Sequence, residues 1–125
     1  NIKQKEFIFI SGSSGSGKST LLKSLYGELD VKGGQLFVNR QDLTKAKNMQ
    51  LLDLRKNIGI IFQDYKLIKD YNIEENVMLP LKVHGYDDAI SKDQAHKVLK
   101  HVKLAHKIGS FPNEISGGEQ QRVAV

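Results

Sequence analysis

Gly12-Ser13-Ser14-Gly15-Ser16-Gly17-Lys18-Ser19 has the spacing G-x-x-x-x-G-K-[ST], and the chemistry of that spacing is phosphate binding. Glycines at 12, 15 and 17 let the backbone reach positive φ, so that successive N–H groups of residues 12–20, those of Ser13, Ser14 and Ser16 included, converge on a β-phosphate. Lys18 is the candidate catalytic cation, bridging β- and γ-phosphates. Ser19 is the candidate Mg2+ ligand, and Thr20 reaches the α-phosphate. The bland alternative is a flexible Gly/Ser linker, and the flanking sequence argues against it. Phe7-Ile8-Phe9-Ile10 reads as a buried parallel strand before the loop, and Thr20–Leu25 reads as a helix after it.

A second glycine-bearing segment, Ile115-Ser116-Gly117-Gly118-Glu119-Gln120-Gln121-Arg122, also opens a helix and offers a second helix N-terminus to an anion. Between the two lies Ile58-Gly59-Ile60-Ile61-Phe62, read as another buried strand, with Gln63 at its C-terminal end, where open α/β sheets put ligand-binding groups. A lone glutamine there is most often an ordinary loop residue; its place between the other two motifs favours a function.

These three motifs, in this order, resemble the nucleotide-binding domain of ABC-type ATPases, whose signature usually begins with Leu where this chain has Ile115. The resemblance implies an α/β, P-loop NTPase fold of the RecA-like type: a three-layer core, a small antiparallel β segment and an inserted helical subdomain. It implies ATP and Mg2+ as ligands. It also implies a homodimer in which Ser116, Gly117, Gly118 and Gln120 of one copy face the γ-phosphate held by the phosphate loop of the other. Gln63 would be the Q-loop glutamine, contacting Mg2+ and the attacking water and coupling the site to an integral membrane subunit. The family divides the chain into residues 1–65 (core, β segment and Q-loop), 66–115 (helical subdomain) and 116–125 (signature and the start of its helix). Its Walker B strand, with the Mg2+-holding aspartate and the glutamate that polarises water, is expected beyond Val125, so residues 1–125 alone are expected to turn over negligibly. An earlier β segment with an adenine-stacking aromatic is likewise expected before Asn1.

Local wording is similar to the bacterial branch that includes cell-division, lipoprotein-release and macrolide-export ATPases. Phe62-Gln63-Asp64-Tyr65-Lys66 with Asp70, then Glu75-Asn76-Val77-Met78-Leu79-Pro80-Leu81, is most similar to the cell-division, FtsE-type members. Those work with an FtsX-type membrane partner at the cytoplasmic face of the plasma membrane.

Composition is compatible with all of this and specific to none of it. Of 125 residues, 39% are hydrophobic and 26% charged, ordinary for a globular domain. The formal charge of +5 suits an anionic ligand or membrane face, and equally suits lysines scattered over solvated helices. With no cysteine there is no disulfide framework and no thiolate metal site. No apolar run approaches a membrane span, so membrane attachment is expected through a partner.

The middle of the chain fills in the scaffold. Lys32-Gly33-Gly34 reads as a turn, and Gln35-Leu36-Phe37-Val38 as a strand ending at Asn39. Thr44 reads as the cap of a helix carrying Met49, Leu51, Leu52 and Leu54. Ser91-Lys92-Asp93-Gln94 reads as a capping box, with Ala95, Val98, Leu99, Val102 and Ala105 on one face of its helix. His96, His101 and His106 are poorly spaced for a shared metal and read as solvated helix residues. A P-loop phosphotransferase would leave Ser116–Gln120 without a purpose. A soluble ABC protein acting on ribosomes or nucleic acid is the other rival, kept alive by the positive charge; no sustained heptads separate Lys18 from Ser116, so the coiled-coil chromosome-maintenance type is excluded and no nucleic-acid partner is expected.

Overall fold

The computed structural model describes residues 2–125 as two compact units, one up to Gly59 and one spanning Ile60–Val125. The first contains α1 (Lys18–Leu25), a hairpin of β1 (Phe37–Val38) and β2 (Gln41–Asp42), and α2 (Asn48–Lys56). The second is helical: α3 (Ile73–Val83), α4 (Asp88–His101), 3-10 turns at Ala105–Lys107 and Pro112–Glu114, and α5 (Gly117–Ala124).

The hairpin is set by its two central residues. Asn39 and Arg40 take φ of 48° and 65°, the left-handed pair of a tight two-residue turn, which pairs Val38 with Gln41 and Phe37 with Asp42. The strand expected over 35–38 is therefore only its last two residues, with an unforeseen partner. Thr44 serves this hairpin and caps nothing: its Oγ1 accepts from the Leu36 N–H at 3.2 Å, and its own N–H donates to Asp42 Oδ1 at 2.8 Å. Helix α2 begins three residues later than that reading, after Lys47, whose N–H donates to Gln50 Oε1 at 2.9 Å.

Neither Phe7–Ile10 nor Ile58–Phe62 joins a ladder, contrary to expectation; the sole sheet among the described residues is β1–β2. A buried parallel strand is held by bonds along both edges and by packing on both faces, and here Phe7 and Phe9 are more than four-fifths exposed. Their alternation still shows, since the two rings meet edge to face with centroids 4.9 Å apart.

In the second unit, Ile73, Leu99, Leu104 and Ile115 form the core, with Val77, Val102, Ile108 and Val123 against it. Helix α3 starts at a reciprocal cap, Asn72 Oδ1 accepting from Glu75 N–H at 2.9 Å while Glu75 Oε2 accepts from Asn72 N–H at 2.8 Å. Its N–H groups at Ile73 and Glu74 donate to the carbonyls of Ser110 and Ile108, which fastens the chain entering the signature to the start of α3.

The cap of α4 is Asp87, whose Oδ1 accepts from Ile90 N–H at 2.8 Å, one turn before the expected Ser91. Ser91 is wholly buried inside the helix, in line with Ala95 and Leu99, and its hydroxyl has no hydrogen-bond partner among the described residues. Of the other residues expected on that face, Val98 is half exposed and Ala105 lies exposed in the following 3-10 turn. His96 is not simply solvated: its Nε2 pairs with Glu74 Oε1, and Lys92 Nζ lies 3.7 Å from the same carboxylate.

Helices α1, α3 and α4 end in the same way. The N–H two residues past the C-cap reaches back to the third-last carbonyl (Glu28 to Lys23, Tyr86 to Leu81, Leu104 to Leu99), and the residue between takes positive φ. That residue is Gly27, Gly85 and Lys103 respectively.

Candidate functional site

The phosphate loop winds through residues 12–17 into the N-terminus of α1. Gly15 and Gly17 have φ of 79° and 88°, a region where a side chain adds strain, so glycine is required there by the backbone. A Cβ at either would meet no atom within 4 Å, so the face of the loop is open. At Gly12 the constraint is space, because a Cβ would stand 2.7 Å from Ser16 Oγ. Ser16 N–H donates to Ser13 O at 3.2 Å and closes the turn.

Lys18 lies across this loop. Its Nζ donates to Gly12 O at 2.8 Å, Ser13 O at 2.7 Å and Ser16 Oγ at 3.3 Å, so the ammonium sits inside the curve made by residues 12–16. Ser13, Ser14, Ser19 and Thr20 are exposed. Residues 12–20 are thus brought together as one cationic, N–H-rich surface at a helix start.

The far end of α1 is clamped. Arg55 of α2 donates from Nε to Tyr26 O at 3.0 Å and from Nη2 to Gly27 O at 2.8 Å, and Gly27 approaches Leu51 so closely that a Cβ would stand 2.4 Å from its Cδ2. These contacts tie the end of α1 to α2.

Gln63 stands exposed in a turn near the start of the second unit, followed by Tyr65 and Lys66 with φ of 58° and 52°. Lys66 Nζ pairs with Asp64 at 2.6 Å. The segment after it is tied to α3 by Asn76: Nδ2 donates to the carbonyls of Ile68, Tyr71 and Asn72, and Oδ1 accepts from Ile68 N–H at 2.7 Å. Nothing in the sequence around Asn76 announces this role, because its acceptors are loop carbonyls that only the fold brings to it.

Ser116 caps α5. Its N–H and its hydroxyl each donate to Glu119 Oε2 at 2.8 Å, and its Oγ accepts from Glu119 N–H at 3.3 Å. The Ser116 N–H first, and then its hydroxyl, hold the Glu119 carboxyl below the usual carboxylate range. Glu119 is a residue that sequence reading left without a role, although S-x-x-E before a helix signals this cap. Gly117 and Gly118 are exposed on the first turn, and a Cβ on either would meet nothing within 4 Å. Gln120 is half-buried, its Nε2 donating to Pro112 O at 2.8 Å and Ile115 O at 3.3 Å, so its amide braces the turn that leads into the signature. Among the described residues no group of three or more His, Asp or Glu side chains is arranged to hold a metal.

The family model for ABC transporter matches residues 1–125. The chain is 42% identical over 125 residues to the cell division ATP-binding protein FtsE of Streptococcus pneumoniae, covering all of this chain and 54% of that protein. It is 41% identical over 120 residues to FtsE of Bacillus subtilis, covering 96% of this chain and 53% of the relative. It is also 40% identical over 125 residues to the methionine import ATP-binding protein MetN 1 of Acinetobacter baylyi, all of this chain and 35% of that protein. Among solved structures it superposes on a dimeric ATP-binding cassette in a post-hydrolysis state bound to ADP and Pi, with a TM-score of 0.87 and 35% identity over 99% of this chain and 56% of that one. The chain thus spans about half the length of the FtsE relatives. A cassette of this kind is what the phosphate loop, Gln63 and the serine-capped α5 pointed to, and the chain belongs to the ABC transporter family of P-loop ATPases.

Proposed function

We propose that this chain is the ATP-binding part of a membrane-coupled ABC ATPase that hydrolyses ATP between two copies arranged head to tail. The observation that carries the reading is the loop at residues 12–17, turned by glycines with an open face, with the Lys18 ammonium inside its curve at the start of α1. A triphosphate fits that surface: backbone N–H groups of residues 12–20 satisfy phosphate oxygens and Lys18 neutralises them. Mg2+, held by Ser19 and Gln63, would add charge neutralisation at the β- and γ-phosphates.

The second copy supplies Ser116, Gly117 and Gly118. The α5 N-terminus is positive in partial charge, Gly117 and Gly118 on its first turn carry no side chain to block an anion, and Glu119 and Gln120 hold the turn in shape. Gln120 thereby acts as a positioning residue for the trans ligands. Lys18 is the residue we assign to aligning the reacting phosphate, and Gln63 the residue we assign to the water.

The partner we assign is an integral membrane subunit of the FtsX type, with the cassette peripheral on the cytoplasmic face of the plasma membrane. No helix among the described residues is long and apolar enough to cross a membrane. The FtsE relatives support a cell-division role and the MetN relative supports an importer role at nearly the same identity. The Asp64 and Asp70 wording around the Q-loop tips the reading to cell division.

Calorimetric titration with MgATP tests the site: saturable binding that Lys18→Ala weakens by at least about tenfold is expected, the removal of one charge-assisted contact. Equal affinity in the two proteins would end the reading. Affinity purification from membranes then decides the partner, an FtsX-type subunit supporting the cell-division assignment and an importer permease replacing it.

A further inference from the structure

The turn that ends α4 carries a cluster of cations. No carboxylate occurs between Asp93 and Glu114, while Lys100, His101, Lys103, His106 and Lys107 fall within two consecutive turns. Lys100, His101, Lys103 and His106 are exposed, and none of Lys100, Lys103 and Lys107 has a carboxylate within ion-pair distance among the described residues. Lys107 lies near enough to Glu119 to contribute to its lowered pKa. The other lysines of α4 differ: Lys97 pairs with Asp93 at 2.6 Å, and Lys92 lies 3.7 Å from Glu74.

Lys103 is the informative residue. It occupies the left-handed position of the helix-end motif, φ 61°, where α1 and α3 have Gly27 and Gly85 with the same pair of backbone bonds. Glycine is the residue that this position favours, and a lysine there is strained. The helix macrodipole accounts for cations in the last turn, but Lys100 and His101 already supply them. An exposed lysine with no ion pair among the described residues, at a position that favours glycine and between two other lysines in a stretch free of carboxylates, is open to an external anion.

We propose that the Lys100–Lys103–Lys107 turn docks on anionic phospholipid headgroups, a direct contact between the cassette and the membrane surface. This rests on the reading that the cassette works at a membrane. One feature favours headgroups over a nucleic acid: the patch has no arginine, so it lacks the planar, bidentate donors that read bases and phosphates in fixed geometry.

The test is co-sedimentation of the full chain with vesicles of phosphatidylcholine alone and of phosphatidylcholine with phosphatidylglycerol, at low and high salt, with a DNA duplex as a competing polyanion. The expected result is partition onto the anionic vesicles only, lost at high salt, and weakened about fivefold by Lys103→Gly, the share of one lysine near an anionic surface. The same substitution restores the residue type found at Gly27 and Gly85, so the melting temperature should rise by roughly 3–6 °C. Opposite signs in the two readouts cannot arise from misfolding. Partition that ignores lipid charge, partition unchanged in Lys103→Gly, or binding to DNA with none to vesicles would each overturn the proposal. Lys103 is outside the nucleotide site, so MgATP titration of the same samples separates the two failures: lost lipid binding with intact ATP binding sinks only this inference, and absent ATP binding sinks the proposed function.

Discussion

Gly27→Ala is the most stringent test of how the phosphate-binding helix is held. Two costs add at this position. Its φ of 71° is a left-handed conformation that an alanine adopts at a cost of about 1 kcal/mol relative to glycine. The new Cβ would also stand 2.4 Å from Leu51 Cδ2, so the leucine or the α1–α2 spacing must give, an overpacking cost of about 1–3 kcal/mol. Gly34 separates the terms, since its φ is 78° but an added Cβ would meet nothing within 4 Å. Urea unfolding of both variants should therefore show Gly34→Ala losing about 1 kcal/mol and Gly27→Ala about 2–4 kcal/mol. Combining Gly27→Ala with Leu51→Ala should recover the packing part of the loss and leave the backbone part, a coupling visible in a double-mutant cycle. Equal losses at Gly27 and Gly34, or additive Gly27 and Leu51 effects, would refute the argument that close approach of α1 to α2 is what requires glycine here.

Two other outcomes follow from the same geometry. Ser91→Ala should stabilise the chain by about 1 kcal/mol in urea or thermal unfolding, because it removes a wholly buried hydroxyl with no hydrogen-bond partner among the described residues while keeping the small volume between Asp87 and Ala95; a loss of stability would mean that the hydroxyl is bonded. The carboxyls of Glu119 and Asp42 are both held below their usual range, Glu119 by the Ser116 N–H and hydroxyl, Asp42 chiefly by Thr44. Depressed folded values stabilise the native state above the ordinary carboxylate range, and that contribution fades as pH falls through the folded values. A melting temperature that declines below about pH 4, with part of the decline abolished in Glu119→Gln, is expected; the same acid slope in both proteins would contradict it.

The local backbone of the motifs was more legible than the scaffold around them. The helix starts at Gly12–Thr20 and Ser116–Gly118 could be read because each needs only glycines at fixed offsets and a capping position, both met within ten residues of chain. The caps were misread where two candidates competed over one turn. Asp87 and Ser91 both carry capping side chains, and the turn at Gly85 decides in favour of Asp87 by ending α3 just before it, which carries Ser91 inward onto the buried face with Ala95 and Leu99. Thr44 was drawn to the hairpin by the left-handed pair Asn39–Arg40, a turn whose asparagine was visible but whose partner strand is two residues long. Phe7–Ile10 and Ile58–Phe62 have the composition of buried strands, but burial of a strand is a property of its neighbours, and residues 2–125 give these segments no ladder. Glu119 was missed although Ser116-x-x-Glu119 has the capping-box spacing, and Asn76 because its carbonyl acceptors are visible only in the fold.

The central claim is that the phosphate loop of one copy and the α5 N-terminus of another close on the same triphosphate. The chain has no cysteine, so with single cysteines introduced as Ser14→Cys in one preparation and as Ser116→Cys in a second, size-tagged one, the mixed-size dimer reports on one pair of sites alone. Mixed and oxidised, the two proteins should form a disulfide-linked dimer when MgATP is present and far less without it. A crosslink indifferent to nucleotide, or none at all in protein that binds MgATP, would contradict the account.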